Sequence, residues 1–371
     1  MNGTLARSCG IALGLLVAAC GAPTSSPRAE PPPTVTRSPA AESEAPSPEA
    51  TATLPSVGPA PQLSVIFDDD GSPDGTTALL YLLSHPRVSL EAVNISYGEA
   101  HPRVYIQHVG RVLASLGRED IPLGAGQDAP LAGTDEFPEG LRESANDFWG
   151  LPLPNAGQVY PTQDAAELIV SAVLQAPTPV TIFVSGPNTN LAQALRLDPR
   201  IGENIAAVYI MGGAVLVPGN IGDLLPDPAN VVAEWNFYAD AVAAQEVFDS
   251  GVEIYLVPLD ATNQVTIGRE DTGQWRLGGE TARLAAAFYD MLLNNWGTEE
   301  AAIWDVMTAA IMVNPGLCEF QDLSMNVVTV AGNASGQSLV TSSGGASIHV
   351  CLNPDADSIR RELAEIFSSS R

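Results

Sequence analysis

The sequence predicts an α/β protein on a mainly parallel, doubly wound sheet, with a small β/α extension at the C-terminal end. Three observations carry that prediction. Short apolar runs recur at residues 63–67, 90–96, 180–185, 207–211 and 253–258. Each run after the first is preceded by a helical pattern, and strands alternating with helices specify parallel pairing through crossover helices. About 310 residues follow an apolar-poor N-terminal stretch, and 45% hydrophobic content is enough for one large core.

Residues 1–19 have the shape of a secretory signal, with Arg7 ahead of an apolar run that is too short to span a bilayer. The sequence Leu16-Val17-Ala18-Ala19-Cys20 resembles a bacterial lipobox, which implies cleavage before Cys20 and lipidation of its thiol. A plain signal peptide with an incidental cysteine is the alternative. Residues 20–61 are almost entirely Pro, Ala, Ser, Thr and Glu, a composition that cannot bury enough apolar surface to fold and reads as an extended tether. The expectation is a domain over residues 62–371, held outside the cytoplasm at a bacterial cell envelope by a lipid anchor in the membrane. Export leaves Cys318 and Cys351 in that domain and suggests a disulfide, with two free buried thiols as the alternative. Neither has a His or second Cys at metal-ligand spacing, so zinc is not indicated. The formal charge of −27, from 43 acidic residues against 16 basic ones that are all Arg, excludes nucleic acid as a partner.

The first strand of the domain, residues 63–67, runs into a turn that carries Asp68, Asp69 and Asp70, and a helix opens near Asp74 with Ala78, Leu79, Leu82 and Leu83 on one face. In an open α/β sheet, ligands bind in the crevice beyond the carboxyl ends of the strands, where these acids fall. Four carboxylates so close together repel one another unless a cation neutralises them or some hold protons. A hard divalent cation with oxygen ligands is the simplest resolution. A solvated acidic turn that favourably charges the helix N-terminus is the bland alternative. An EF-hand is excluded, because counting from Asp68 puts Pro73 where Gly is needed and Leu79 where Glu is needed.

Further helices are expected at residues 102–116, 165–175, 190–196, 241–248 and 280–295. The stretch 124–161, with Phe137, Phe148 and Trp149 but little periodicity, has the length of a functional lid. Beyond the strand ending at Ser185, a Gly186-Pro187 turn frees the Ser185 carbonyl, a good cation ligand. Met211-Gly212-Gly213, Gly219-Asn220 and Glu234-Trp235-Asn236 place donors, acceptors and flexible backbone at later strand ends, where they suit sugar hydroxyls. Singly, each reads more readily as a loop cap; together they form an oxygen-rich set. Asp305 follows Trp304 at the start of another helix. The C-terminal extension is expected as strands at 325–330, 337–341 and 346–351 and a helix at 357–367, the disulfide joining the last strand to the loop before the first.

These residues resemble the inosine-uridine nucleoside hydrolase family, from about residue 63 to the C-terminus. The family opens with a strand ending in DxDxxxDD, and Asp68, Asp70 and Asp74 fill the first three acidic positions. GPNTNLAQALRLDPRI, VYIMGGA, GN and AEWNFYADAVAAQEVFDSGVEIYLVPLDATNQ then follow in the family's order and spacing. The resemblance implies a calcium ion held by Asp70, the Ser185 carbonyl and Asp305, with Asp70 also the base for an attacking water. It implies that Asp74, Asn220, Glu234 and Asn236 hold the ribose, with Met211 beneath it.

Three positions depart from the family pattern. Gly75 stands where the motif has its fourth acid, so the metal loses a carboxylate ligand unless Asp68, Asp69 or water replaces it. Glu99 stands where the family has Asn near the sugar, and Trp304 where many members have a His that assists the leaving base. An indole there could stack on the base, and His101 is the other candidate donor. Asp68, Glu99 and Trp304 therefore join the substrate side and Asp69 the metal side of the expected site. The implied activity is calcium-dependent hydrolysis of the N-glycosidic bond of a ribonucleoside or related ribosyl compound, releasing base and ribose. Association into homo-oligomers is also implied. The departures at Gly75 and Trp304 raise a non-catalytic nucleoside- or sugar-binding lipoprotein on the same fold as the alternative.

Overall fold

The computed structural model describes residues 62–369 apart from 134, 156 and 227. The expected signal peptide, the Cys20 lipidation site and the tether lie outside the described residues. Among the described residues twelve strands follow in chain order: β1 (Leu63–Asp69), β2 (Val88–Ile95), β3 (Leu123–Ala125), β4 (Gln163–Asp164), β5 (Val180–Val184) and β6 (Ile205–Met211). The remainder are β7 (Ile254–Val257), β8 (Thr266–Gly268), β9 (Glu300–Ala302), β10 (Cys318–Val327), β11 (Ser338–Val340) and β12 (Ala346–Pro354). Ten of them form one sheet in the order β11-β10-β12-β7-β6-β5-β1-β2-β3-β4, and β8 pairs with β9 separately.

β1 is central because its apolar residues are buried on both faces, as parallel strands under two helical layers must be. Successive side chains alternate. Val65 and Phe67 enter a core shared with the helices Pro73–Ser84, Glu280–Trp296 and Trp304–Val313. Ile66 enters the opposite core, shared with Ala165–Gln175, Thr189–Leu197 and Ala241–Phe248. From β1 the chain runs outward through β2, β3 and β4, then returns to pair β5 with the other edge of β1. That reversal puts the topological switch point, and hence the crevice, at the carboxyl end of β1.

The helix Pro73–Ser84 starts where it does for local reasons. The Ser72 side chain accepts from the Gly75 amide at 2.9 Å, proline occupies the first turn and Asp74 sits against the positive end of the helix dipole. It stops at His85, whose following proline disfavours helical geometry.

Three details differ from the sequence reading. β1 runs on to Asp69, so two of the acids belong to the strand rather than to a turn. The expected irregular stretch 124–161 contains the helix Glu139–Asn146 and a single 3-10 turn at Phe148–Gly150. The C-terminal extension is continuous with the main sheet, because β12 pairs parallel with β7. β10 begins at Cys318, well before residue 325, so the Cys318–Cys351 disulfide joins neighbouring antiparallel strands rather than a strand and a loop.

Candidate active site

A cavity of about 840 Å³ opens above the carboxyl ends of β1, β5 and β6. Ten of the twelve residues expected at the site line it: Asp70, Asp74, Glu99, Ser185, Met211, Asn220, Glu234, Asn236, Trp304 and Asp305. Asp68 and Asp69 are not among its lining residues. Side chains alternate along β1, and the two carboxylates consequently face opposite cores. Asp68 accepts from Asn190 Nδ2 at 2.8 Å in the helix Thr189–Leu197, so it is not among the residues facing the cavity as the sequence reading had it. Asp69 accepts from Ser185 Oγ at 2.8 Å and from the Gly71 amide at 2.9 Å, on the side of the helix Pro73–Ser84.

The floor is a chain of mutual restraints. Asp70, just past β1, accepts from the Glu99 amide at 3.1 Å through Oδ2, while its Oδ1 is buried with no partner. The starts of two helices interlock beside it: Ser72 Oγ donates to Asp305 Oδ2 at 3.0 Å, and the Asp305 amide donates to Asp74 Oδ2 at 3.2 Å. On the other side, Glu234 caps the helix Trp235–Ala239 by accepting from the amides of Gly213, Asn236 and Phe237. Asn236 Nδ2 donates to the Met211 carbonyl at 3.2 Å and the Ser185 carbonyl at 3.4 Å, tying the ends of β6 and β5 to the same amide. Asn220 accepts the Trp235 amide at 3.1 Å.

Burial first, and neighbouring negative charge second, raise the proton affinity of Asp70, Glu99 and Asp305 well above the ordinary carboxylate range. Burial also pushes Asp68 and Asp69 to about 7, and Glu234 to about 7 against its three amide donors. Among the described residues, no Arg or His lines the cavity to offset these charges. The donor chemistry therefore fits a hard divalent cation: buried carboxylates, an unpartnered carboxylate oxygen on Asp70 and the Ser185 carbonyl. Among the described residues no group of three or more His, Cys, Asp or Glu side chains is already drawn together at metal-binding spacing, so the fit lies in donor chemistry rather than in a preformed cage.

His101, the sequence candidate for a leaving-group donor, does not line the cavity; its ring bonds Asn146 and faces Asp128 and Glu139. Sequence reasoning missed Ser72, for which the Ser-Pro-Asp start of the helix was an available cue. It also left the orientation of Trp149 and the presence of Trp296 at the rim unread. Both line the cavity with Trp304, and Trp149 Nε1 donates to the Gly71 carbonyl at 3.0 Å. The rings of Trp296 and Trp304 meet edge to face with centroids 5.8 Å apart, and Trp304 Nε1 is buried without a partner.

An acid-floored cavity at the switch point of a doubly wound sheet, lined by carboxylates, amides and aromatic rings, is the kind of site in which α/β enzymes bind small polar ligands. The sequence profile of the inosine-uridine preferring nucleoside hydrolases matches residues 65–361. The pyrimidine-specific ribonucleoside hydrolase RihA of Citrobacter koseri is 32% identical over 285 residues, covering 75% of this chain and 88% of the relative. Among solved structures, an inosine-uridine preferring nucleoside hydrolase from Bacillus anthracis superposes with a TM-score of 0.71 at 25% identity, covering 83% of this chain and 99% of that one. A purine-preferring ribonucleoside hydrolase from Gardnerella vaginalis shares the fold, with a TM-score of 0.73 at 22% identity over 82% of this chain and 98% of that one. The chain belongs to the inosine-uridine preferring nucleoside hydrolase family and is an N-ribosyl hydrolase. That membership favours the enzyme over the non-catalytic alternative.

Proposed function

We propose that the protein hydrolyses the N-glycosidic bond of ribonucleosides in a calcium-dependent reaction, outside the cytoplasm and anchored to the envelope membrane through lipid on Cys20. The observation that carries the catalytic part is Asp70: a buried carboxylate at the cavity floor, oriented by the Glu99 amide, with Oδ1 unpartnered. Asp70, Asp305 and the Ser185 carbonyl are the residues that would hold the cation. When bound, calcium supplies a Lewis acid that makes water more acidic and neutralises the acid cluster.

The remaining work falls to the chain's own groups. Asp70 accepts the proton of the attacking water as its oxygen bonds to C1′ of the ribose, and the C1′–N bond breaks with its electron pair departing on the base. Positive charge develops on the sugar ring during that exchange, as in glycoside hydrolysis generally. The carboxylates of Asp74 and Glu234 stabilise that charge from fixed positions, so little reorganisation is needed at the moment of reaction. Glu99, Asn220 and Asn236 offer hydrogen bonds to the sugar hydroxyls, and Met211 forms an apolar bed beneath the ring. Trp304 at the rim offers a π-face to the base.

The test is ribose release by the full chain across a nucleoside panel, with and without chelator and with calcium restored. Uridine and cytidine head the panel because the Citrobacter koseri relative is named pyrimidine-specific; inosine and adenosine join because the Gardnerella vaginalis protein is named purine-preferring. Calcium-restored release supports the reading. Undiminished release in chelator removes its metal part, and no release from any nucleoside removes its substrate class.

A further inference from the structure

Gly75 lies in the first turn of the helix Pro73–Ser84 and is there for space rather than for backbone freedom. A Cβ at this position would fall 1.8 Å from Asp69 Oδ1, 2.6 Å from Asp69 Cγ and 2.7 Å from Ser72 Oγ. No rotation at residue 75 avoids this, because Cβ is fixed by the backbone. Asp69 cannot easily yield either: Ser185 Oγ and the Gly71 amide hold its two oxygens, and the side chain is 1% exposed. A side chain at 75 and the carboxylate of Asp69 thus compete for one volume. That volume adjoins the cation donors, since Asp69 is bonded to Ser185, whose carbonyl faces Asn236, and Asp70 is the next residue along the chain.

We infer that Asp69 and Gly75 are an exchanged pair: the carboxylate that the family motif carries on the helix at 75 is supplied here from the end of β1 by Asp69, to the same cation. This rests on the proposed cation-dependent reading of the site. It assigns Asp69 a role separate from its neighbours and explains why the motif's fourth acid is absent without a loss of negative charge. It also makes glycine at 75 obligatory for as long as position 69 carries a carboxylate.

The test is a double-mutant cycle on the full chain, read by calcium calorimetry and by the melting temperature with and without calcium. Gly75→Asp alone is expected to lower the melting temperature and leave calcium binding no tighter, because two carboxylates would claim one space. Asp69→Asn, which keeps shape and removes charge, is expected to weaken calcium binding about tenfold or more. Asp69→Ala should weaken it similarly, and Asp69→Ala with Gly75→Asp should recover most of the wild-type affinity and melting temperature. The inference is overturned if Asp69→Asn binds calcium as tightly as wild type, a result that stands even where the double variant does not fold. It is also overturned if a folded double variant binds no better than Asp69→Ala. In both cases wild-type binding keeps the cation reading intact. If wild type itself binds no calcium, the cation reading falls and takes the exchange with it.

Discussion

At the floor of the cavity the polar side chains are held by partners from other elements, whereas its rim is made of aromatic rings set on loops and helix ends. Asp70, Asp74, Asp305, Glu234 and Asn236 sit at strand or helix termini and are interlocked by hydrogen bonds between segments far apart in sequence. The rim is held differently. Phe148 and Trp149 have φ of 52° and 56° and Gly150 follows at 73°, three successive residues in the left-handed region. Phe148 stays there because its ring is buried against Tyr105, His108 and Phe288, and Trp149 because its indole bonds the Gly71 carbonyl. Trp296, at the end of its helix, is 47% exposed. The difference teaches that this molecule holds its floor through bonds among strand and helix ends and builds its rim on segments that can vary without disturbing them.

The sharpest way to break that comparison is at Asp70. Asp70→Asn keeps the contact with the Glu99 amide but removes the base, and kcat for ribose release should fall by about 10²–10⁴ with KM little changed. A change confined to KM would mean that Asp70 only positions substrate. Next comes Asn236→Ala, which takes a donor from the Met211 and Ser185 carbonyls and should cost about 1–3 kcal/mol in kcat/KM for every nucleoside alike. A loss that depends strongly on the base would move Asn236 from the floor to the rim.

The carboxylates of the floor were legible because an apolar strand that ends in acids and continues as a helix has few readings. Their facing was not fully legible, although strand alternation already forbids Asp68 and Asp69 from pointing into one cavity. Strand ends alone could not show that Asp69 fills the space of Gly75, which depends on how closely the helix approaches β1. The rim was least legible. The segment 148–150 contains one glycine, yet all three residues adopt a backbone that sequence associates with glycine, because tertiary packing overrides local preference. The strands β4, β8 and β9 are too short to show a period.

Proton linkage probes the buried acids at and around the floor. Burial raises Asp68, Asp69 and Glu234 to about 7, so the folded, cation-free protein binds their protons more tightly than the unfolded chain. That stability is fully present below the ordinary carboxylate range and is lost as pH rises through 7. His85 and His108, lowered by burial, act in the opposite sense, but their contribution is already complete above their ordinary value of 6.5. Between about pH 6.5 and 8 the melting temperature in chelator should therefore fall by at least a few degrees, and calcium should flatten the slope. A flat profile in chelator would mean that the floor carries its charges without strain.

The smallest effect is expected at the rim. Trp149→Phe keeps an aromatic face but loses the bond from Nε1 to the Gly71 carbonyl, a contact worth about 0.5–1.5 kcal/mol. Gly71 belongs to the turn that carries Asp70, so this bond ties Trp149 to the floor. If the rim only recognises the base, KM should rise a few-fold and unequally for purine and pyrimidine nucleosides, while kcat holds. If kcat falls equally for all of them, the indole is bracing the Asp70 turn, and the division between a rigid floor and a variable rim does not extend to Trp149.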